Sequence, residues 1–82
     1  MIKLVFLASI RERLGCDQQD YSIDASLTVA ELIEQLSSRG DEWQQVLSDD
    51  KVLVAINQQM SRRDTLIQSG DEVAFFPPVT GG

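Results

Sequence analysis

The chain has 82 residues, enough for one compact domain burying roughly 60–65% of its unfolded surface and too few for two cores. Apolar residues make up 43% and charged residues 24%, an ordinary globular balance that excludes a chain without a core. Thirteen acids against seven bases leave a net charge of −6, which argues against nucleic acid and membrane surfaces as direct ligands and favours a partner protein with a basic face.

Ile2 to Ser9 reads as a first strand, rich in β-branched and aromatic residues and free of Gly and Pro. Its apolar run Leu4-Val5-Phe6-Leu7-Ala8 is too short for a signal peptide, and Arg11-Glu12-Arg13 follows where a cleavage site would stand. No stretch approaches a membrane span, so a cytoplasmic location is expected. Ile10 to Leu14 has a short helical spacing that stops at Gly15. Asp20 to Asp24 alternates and suggests a hairpin partner for the first strand. Thr28 and Glu31 form a capping box, and Val29, Leu32, Ile33 and Leu36 then share one face of a helix ending near Gly40. Asp41 is expected to cap a further short helix through Trp43 to Leu47. Val52 to Ile56 is an apolar run of strand length, with Asn57-Gln58 as the turn after it. A weak strand over Met60 to Arg62 comes next, then a turn region from Thr65 to Gly70. Asp71 to Phe76 is the last strand, ended by Pro77-Pro78, which cannot donate to a ladder.

This order predicts an α+β domain: a mixed sheet with one main helix packed on one face, the arrangement of the β-grasp or ubiquitin-like fold. One domain is expected over residues 1–82, with 77–82 as an extended C-terminal tail. Alternation puts Ile2, Leu4, Phe6 and Ala8 on one side of the first strand and Lys3, Val5, Leu7 and Ser9 on the other. Val73 and Phe75 likewise oppose Ala74 and Phe76. One helix covers one face, so an apolar surface is left over unless the short helices cover it. That surface reads as a docking site carrying Leu7, Phe76 and Met60, with Arg11 at its rim.

The chain ends Phe75-Phe-Pro-Pro-Val-Thr-Gly-Gly82. The two prolines favour an extended segment that projects the last residues away from the body, and Val79 to Gly82 adds a reach of about 12–14 Å. Gly81 and Gly82 lack a Cβ, so the last peptide fits a constriction closed to other residues. The group that arrives there is the α-carboxylate of Gly82, inert until activated and then open to sulfur, nitrogen or oxygen nucleophiles.

The run Gly70-Asp-Glu-Val-Ala-Phe-Phe-Pro-Pro-Val-Thr-Gly-Gly82 resembles the C-terminal signature of the small, sulfur-carrier subunit of molybdopterin synthase. Ile2-Lys-Leu-Val-Phe-Leu-Ala-Ser-Ile-Arg-Glu-Arg-Leu-Gly15 and Val54-Ala-Ile-Asn-Gln58 are similar to the same family; Cys16 and Met60-Ser-Arg-Arg-Asp64 are less so. The resemblance implies a reagent rather than a stand-alone enzyme. A ubiquitin-activating-like enzyme would adenylate Gly82 with ATP, and a persulfide donor would turn the acyl-adenylate into a thiocarboxylate. The loaded tail, positioned by Pro77, Pro78, Val79, Thr80 and Gly81, would enter the large synthase subunit. There its sulfur would pass to cyclic pyranopterin monophosphate, two transfers building the dithiolene. The implied assembly is a heterotetramer of two large and two small subunits, with acid and base groups on the large one and no cofactor bound by this chain.

The remaining reactive residues read more plainly. A chain with no histidine has no Ser-His-Asp triad and no imidazole metal ligand, and no metal site is expected. Cys16 is alone and lacks a neighbouring base, so it reads as an ordinary thiol. Asp49-Asp50 and Asp71-Glu72 have no Ca²⁺-loop spacing and read as solvated turn charge, with Asp71 serving the turn before the last strand. Trp43 reads as core or edge packing. Two rival functions share the fold: a sulfur carrier for thiamine or tRNA thiolation, separated by which large subunit co-purifies, and an interaction module that never uses its tail, which would survive loss of Gly81 and Gly82.

Overall fold

A computed structural model describes residues 1–78. Its elements run β1 (Ile2–Phe6), α1 (Ala8–Leu14), β2 (Gln18–Tyr21), β3 (Leu27–Thr28), α2 (Val29–Ser37), α3 (Asp41–Leu47), β4 (Leu53–Ile56), β5 (Gln59–Ser61), β6 (Leu66–Ile67) and β7 (Glu72–Phe76). The main sheet has the order β2-β1-β7-β4-β5, and β3 with β6 makes a second, two-stranded sheet. The central pair β1–β7 is parallel, while β1–β2, β4–β7 and β4–β5 are antiparallel. This is the mixed β-grasp sheet expected from the element order.

Alternation decides the layers. In β1 the even residues Ile2, Leu4 and Phe6 are buried, and in β7 Val73 and Phe75 are buried. They meet Val29, Leu32, Ile33 and Leu36 of α2, Val46 and Leu47 of α3 and Ile10 of α1 in one apolar cluster. Phe6 stacks on Phe75 with ring centroids 5.6 Å apart, and Trp43 meets Phe6 edge-on at 5.4 Å. Such aromatic pairs add about 0.5–1.5 kcal/mol beyond the area they bury.

α2 starts where its sequence says. Thr28 Oγ1 accepts from the Glu31 amide at 3.1 Å, and Glu31 Oε1 accepts from the Thr28 amide at 2.8 Å. Thr28→Ala is expected to lower the free energy of unfolding by about 1 kcal/mol, read as a shifted urea midpoint at unchanged m value. The helix ends at Ser37, a little short of Gly40.

Five local expectations are corrected. The first strand stops at Phe6 rather than Ser9, and Ala8 is exposed at the start of α1 instead of facing the core. The second strand is Gln18–Tyr21, not Asp20–Asp24, because the left-handed cap at Gly15 returns the chain early and Asp17 already accepts from the Phe6 amide. Ile23 still packs against the core, which explains the apolar alternation beyond Tyr21. The cap of α3 is Gly40 at φ 155°, ψ 174°, a conformation L side chains rarely adopt. Asp41 is instead a first-turn residue beside Glu42, where negative charge suits the helix dipole. The region from Thr65 to Gly70 holds β6, which pairs Ile67 with Leu27 and Leu66 with Thr28.

Candidate docking face and tail

Every helix of the described residues packs on the side of the main sheet that carries Leu4, Phe6, Val73 and Phe75. The short helices therefore do not cover the second face. Its composition is set by register. One row crosses all five strands as Gln18, Val5, Ala74, Ala55 and Met60, each facing the next in the ladders. A second row pairs Phe76 with Leu53, and Leu7 stands beside it, since the Leu7 amide donates to the Phe75 carbonyl at 3.0 Å. The third row, at the opposite end of the strands, is charged: Asp20 faces Lys3, and Lys3 faces Glu72.

The open face is thus divided. Its apolar half, with Leu7, Phe76, Leu53, Val5, the two alanines and Met60, lies at the end of β7 where the tail leaves the sheet. Leu7 is 39% exposed and Met60 62%, values that leave both free to meet a partner. Phe76 is half-buried, as is Pro77, while Pro78 is exposed. Arg11 is exposed one helical turn beyond Leu7, whose carbonyl accepts from the Arg11 amide at 3.4 Å. The structure therefore gathers Leu7, Arg11 and Phe76 around the end of β7 and places Met60 across the sheet on the edge strand. Val79, Thr80, Gly81 and Gly82 lie outside the described residues.

Leu53 and Ala55 belong to this face and escaped the sequence reading. They sit in the continuous run Val52 to Ile56, where every position is apolar and no alternation sorts one face from the other. Only the pairing of Ala55 with Met60 and of Leu53 with Phe76 resolves them.

The other reactive residues have structural partners. Asp71 accepts from the Gln68 amide at 2.9 Å and from Asn57 Nδ2 at 3.0 Å, while Asn57 Oδ1 accepts from the Glu72 amide at 3.0 Å. Together they brace the start of β7 against the β4–β5 turn. Asp49 accepts from the Lys51 amide at 2.9 Å. Cys16 is half-buried with Sγ 3.8 Å from Gln19 Oε1. Among the described residues no group of three or more Cys, Asp or Glu side chains is placed to hold a metal, and no helix is long and apolar enough to cross a membrane.

Comparison with known proteins agrees in fold and family. The ThiS family model matches residues 4–82. The chain is 44% identical over 82 residues to the molybdopterin synthase sulfur carrier subunit of Escherichia coli (strain K12), and the match covers 100% of both. The crystal structure of SAMP1 from Haloferax volcanii superposes with a TM-score of 0.80 at 25% identity, covering 99% of this chain and 98% of that one. A chain from the complex of subunits 1 and 2 of the molybdopterin-converting factor of Helicobacter pylori shares the fold, with a TM-score of 0.68 at 21% identity over 99% of this chain and 97% of that one. The fold defines a ubiquitin-like β-grasp domain with one open sheet face. The chain belongs to the ThiS family, among the molybdopterin synthase sulfur carrier subunits.

Proposed function

We infer that this chain carries sulfur on Gly82 and delivers it inside a complex with a large molybdopterin synthase subunit. The Gly82 carboxylate attacks the α-phosphorus of ATP on an activating enzyme, releasing pyrophosphate. The terminal sulfur of a persulfide donor displaces AMP and forms an acyl disulfide. A second thiol then attacks the donor's sulfur, breaks the S–S bond and leaves with the donor as a disulfide, which releases the thiocarboxylate. The loaded tail then enters the large subunit, which supplies acid and base groups, and the sulfur passes to cyclic pyranopterin monophosphate. Two rounds complete the dithiolene, and each spent carboxylate is recharged.

One observation carries this reading beyond family membership: the apolar half of the open face is continuous with the point where the tail leaves β7. A partner seated on Leu7, Phe76 and Leu53 lies beside Pro77 and Pro78, the point from which the tail continues. The Helicobacter pylori relative, solved as a complex of subunits 1 and 2, supports a two-subunit arrangement of this kind. The absence of histidine supports placing the proton-transfer groups on the partner.

The test is mass spectrometry of the intact protein isolated from its source cells with its partner. A species heavier by one oxygen-to-sulfur replacement, mapped to Gly82, is expected. Deleting Gly82, or Gly81→Trp, is expected to end sulfur transfer with the domain still folded. Transfer by either variant would overturn the reading and favour a module that binds through its sheet alone.

A further inference from the structure

Three non-glycine residues of the described chain have positive φ: Ala8 at 54°, Asn57 at 51° and Gln58 at 68°. Asn57 and Gln58 form the two-residue β4–β5 turn, where the twist of a hairpin requires that conformation. Ala8 has no such setting. It comes after Leu7, which is extended at φ −118°, ψ 152°, and it opens α1. A Cβ crowds the backbone in the left-handed region, so alanine occupies it only where its surroundings force it there.

Two anchors force it. The Leu7 amide donates to the Phe75 carbonyl at 3.0 Å, carrying the parallel β1–β7 ladder one step past the Phe6–Phe75 pair. The Leu7 carbonyl meanwhile accepts from the Ile10 amide at 3.1 Å, and Ile10 is buried to 3% exposure in the core. Between these bonds the chain must leave the sheet and enter the helix layer in a single residue. The left-handed turn at Ala8 does so. Its consequence falls on the tail: β1 departs beside Phe76, one residue before Pro77. Had Ala8 and Ser9 stayed extended, they would run alongside Pro77 and Pro78.

We propose that Ala8 is a positioning residue for sulfur delivery: its left-handed corner ends β1 next to Phe76, holds Leu7 on the open face and leaves Pro77 and Pro78 without a neighbouring strand where they depart from the sheet. This role rests on the sulfur-carrier reading. Ala8 acts through the Leu7 amide and the Phe75 carbonyl. Glycine at this position keeps the corner without strain, whereas a β-branched residue is driven from positive φ toward the extended region.

The experiment compares Ala8→Gly and Ala8→Val in the full chain, with two readouts. The first is amide hydrogen exchange in the free protein, which needs no sulfur chemistry. Ala8→Val is expected to speed exchange of the Leu7 amide about ten-fold or more while Leu4 and Phe6 stay protected, and Ala8→Gly to leave all three protected. The second is single-turnover sulfur transfer from each thiocarboxylated variant to cyclic pyranopterin monophosphate at saturating large subunit. Ala8→Val is expected to slow transfer about ten-fold or more at full occupancy, and Ala8→Gly to stay within about two-fold of the parent. Where Ala8→Val does not fold, Ala8→Thr, also β-branched, takes its place with the same expected direction.

A valine variant that loses Leu7 protection yet transfers at the parent rate would overturn the role, as would a glycine variant slowed as much as the valine one. A parent chain that loads but transfers no sulfur would overturn the sulfur-carrier reading and the tail role with it. The exchange result would still decide whether Ala8 holds the corner.

Discussion

Phe76→Asp and Leu7→Asp are each expected to weaken binding of the large subunit at least about 30-fold, or about 2 kcal/mol, while the far-ultraviolet spectrum stays that of the folded domain. Both side chains lie on the face opposite the core, so neither truncation opens a cavity beneath a helix. In a complex, however, each aspartate would replace an apolar contact beside Leu53 and Val5, and taking a carboxylate out of water in such surroundings is strongly disfavoured. Gln45→Asp adds the same charge to an exposed position of α3, on the other side of the sheet. It is expected to change the dissociation constant by less than about two-fold. Isothermal titration against purified large subunit reads all three. Equal losses for Phe76→Asp and Gln45→Asp would mean that net charge governs association and the open face does not.

Phe6→Ala is expected to cost about 3–5 kcal/mol of folding stability. For 82 residues the whole free energy of unfolding is about 4–12 kcal/mol, so this one change brings the domain near its midpoint. Phe6 is fully buried, stacked on Phe75 and met edge-on by Trp43, so its removal leaves two aromatic rings without a partner. Urea titration followed by circular dichroism reads the loss. A cost below about 1.5 kcal/mol would mean that α3 settles inward and refills the space.

The parts of the fold that sequence reveals are those whose signal is local and repeated. The alternation in Ile2 to Phe6 and in Val73 to Phe76 marks two strands and both their faces, and the Thr28–Glu31 box with Val29, Leu32, Ile33 and Leu36 marks α2. The pairing of β3 with β6 leaves no such trace. Two residues cannot show a period, and their bond depends on a partner some 40 positions away in the chain. The corner at Ala8 is equally silent, because alanine carries no preference for positive φ and the pattern Leu7-Ala8-Ser9 continues the strand that precedes it. In the docking face, Leu7, Phe76 and Met60 are legible as large apolar residues on strands with one face already committed. Leu53 and Ala55 are not, since only the ladders to Phe76, Ala74 and Met60 tell which side they take. The tail is legible from chemistry, as prolines that end a ladder and glycines that admit a narrow channel, and Val79 to Gly82 lie beyond the described residues.

Trp43 is the chain's single tryptophan, and it packs on the helix side of the sheet, with its ring against Phe6 and the Arg39 guanidinium 4.6 Å above it. Its fluorescence is therefore a gauge of packing on the helix side of the sheet. Unfolding should shift the emission, whereas a subunit seated on Leu7 and Phe76 stays a full sheet thickness away. A spectrum that changes on mixing would signal that capture of the carrier rearranges its own packing. A spectrum that holds still would mean that this small body passes between its partners as a rigid handle.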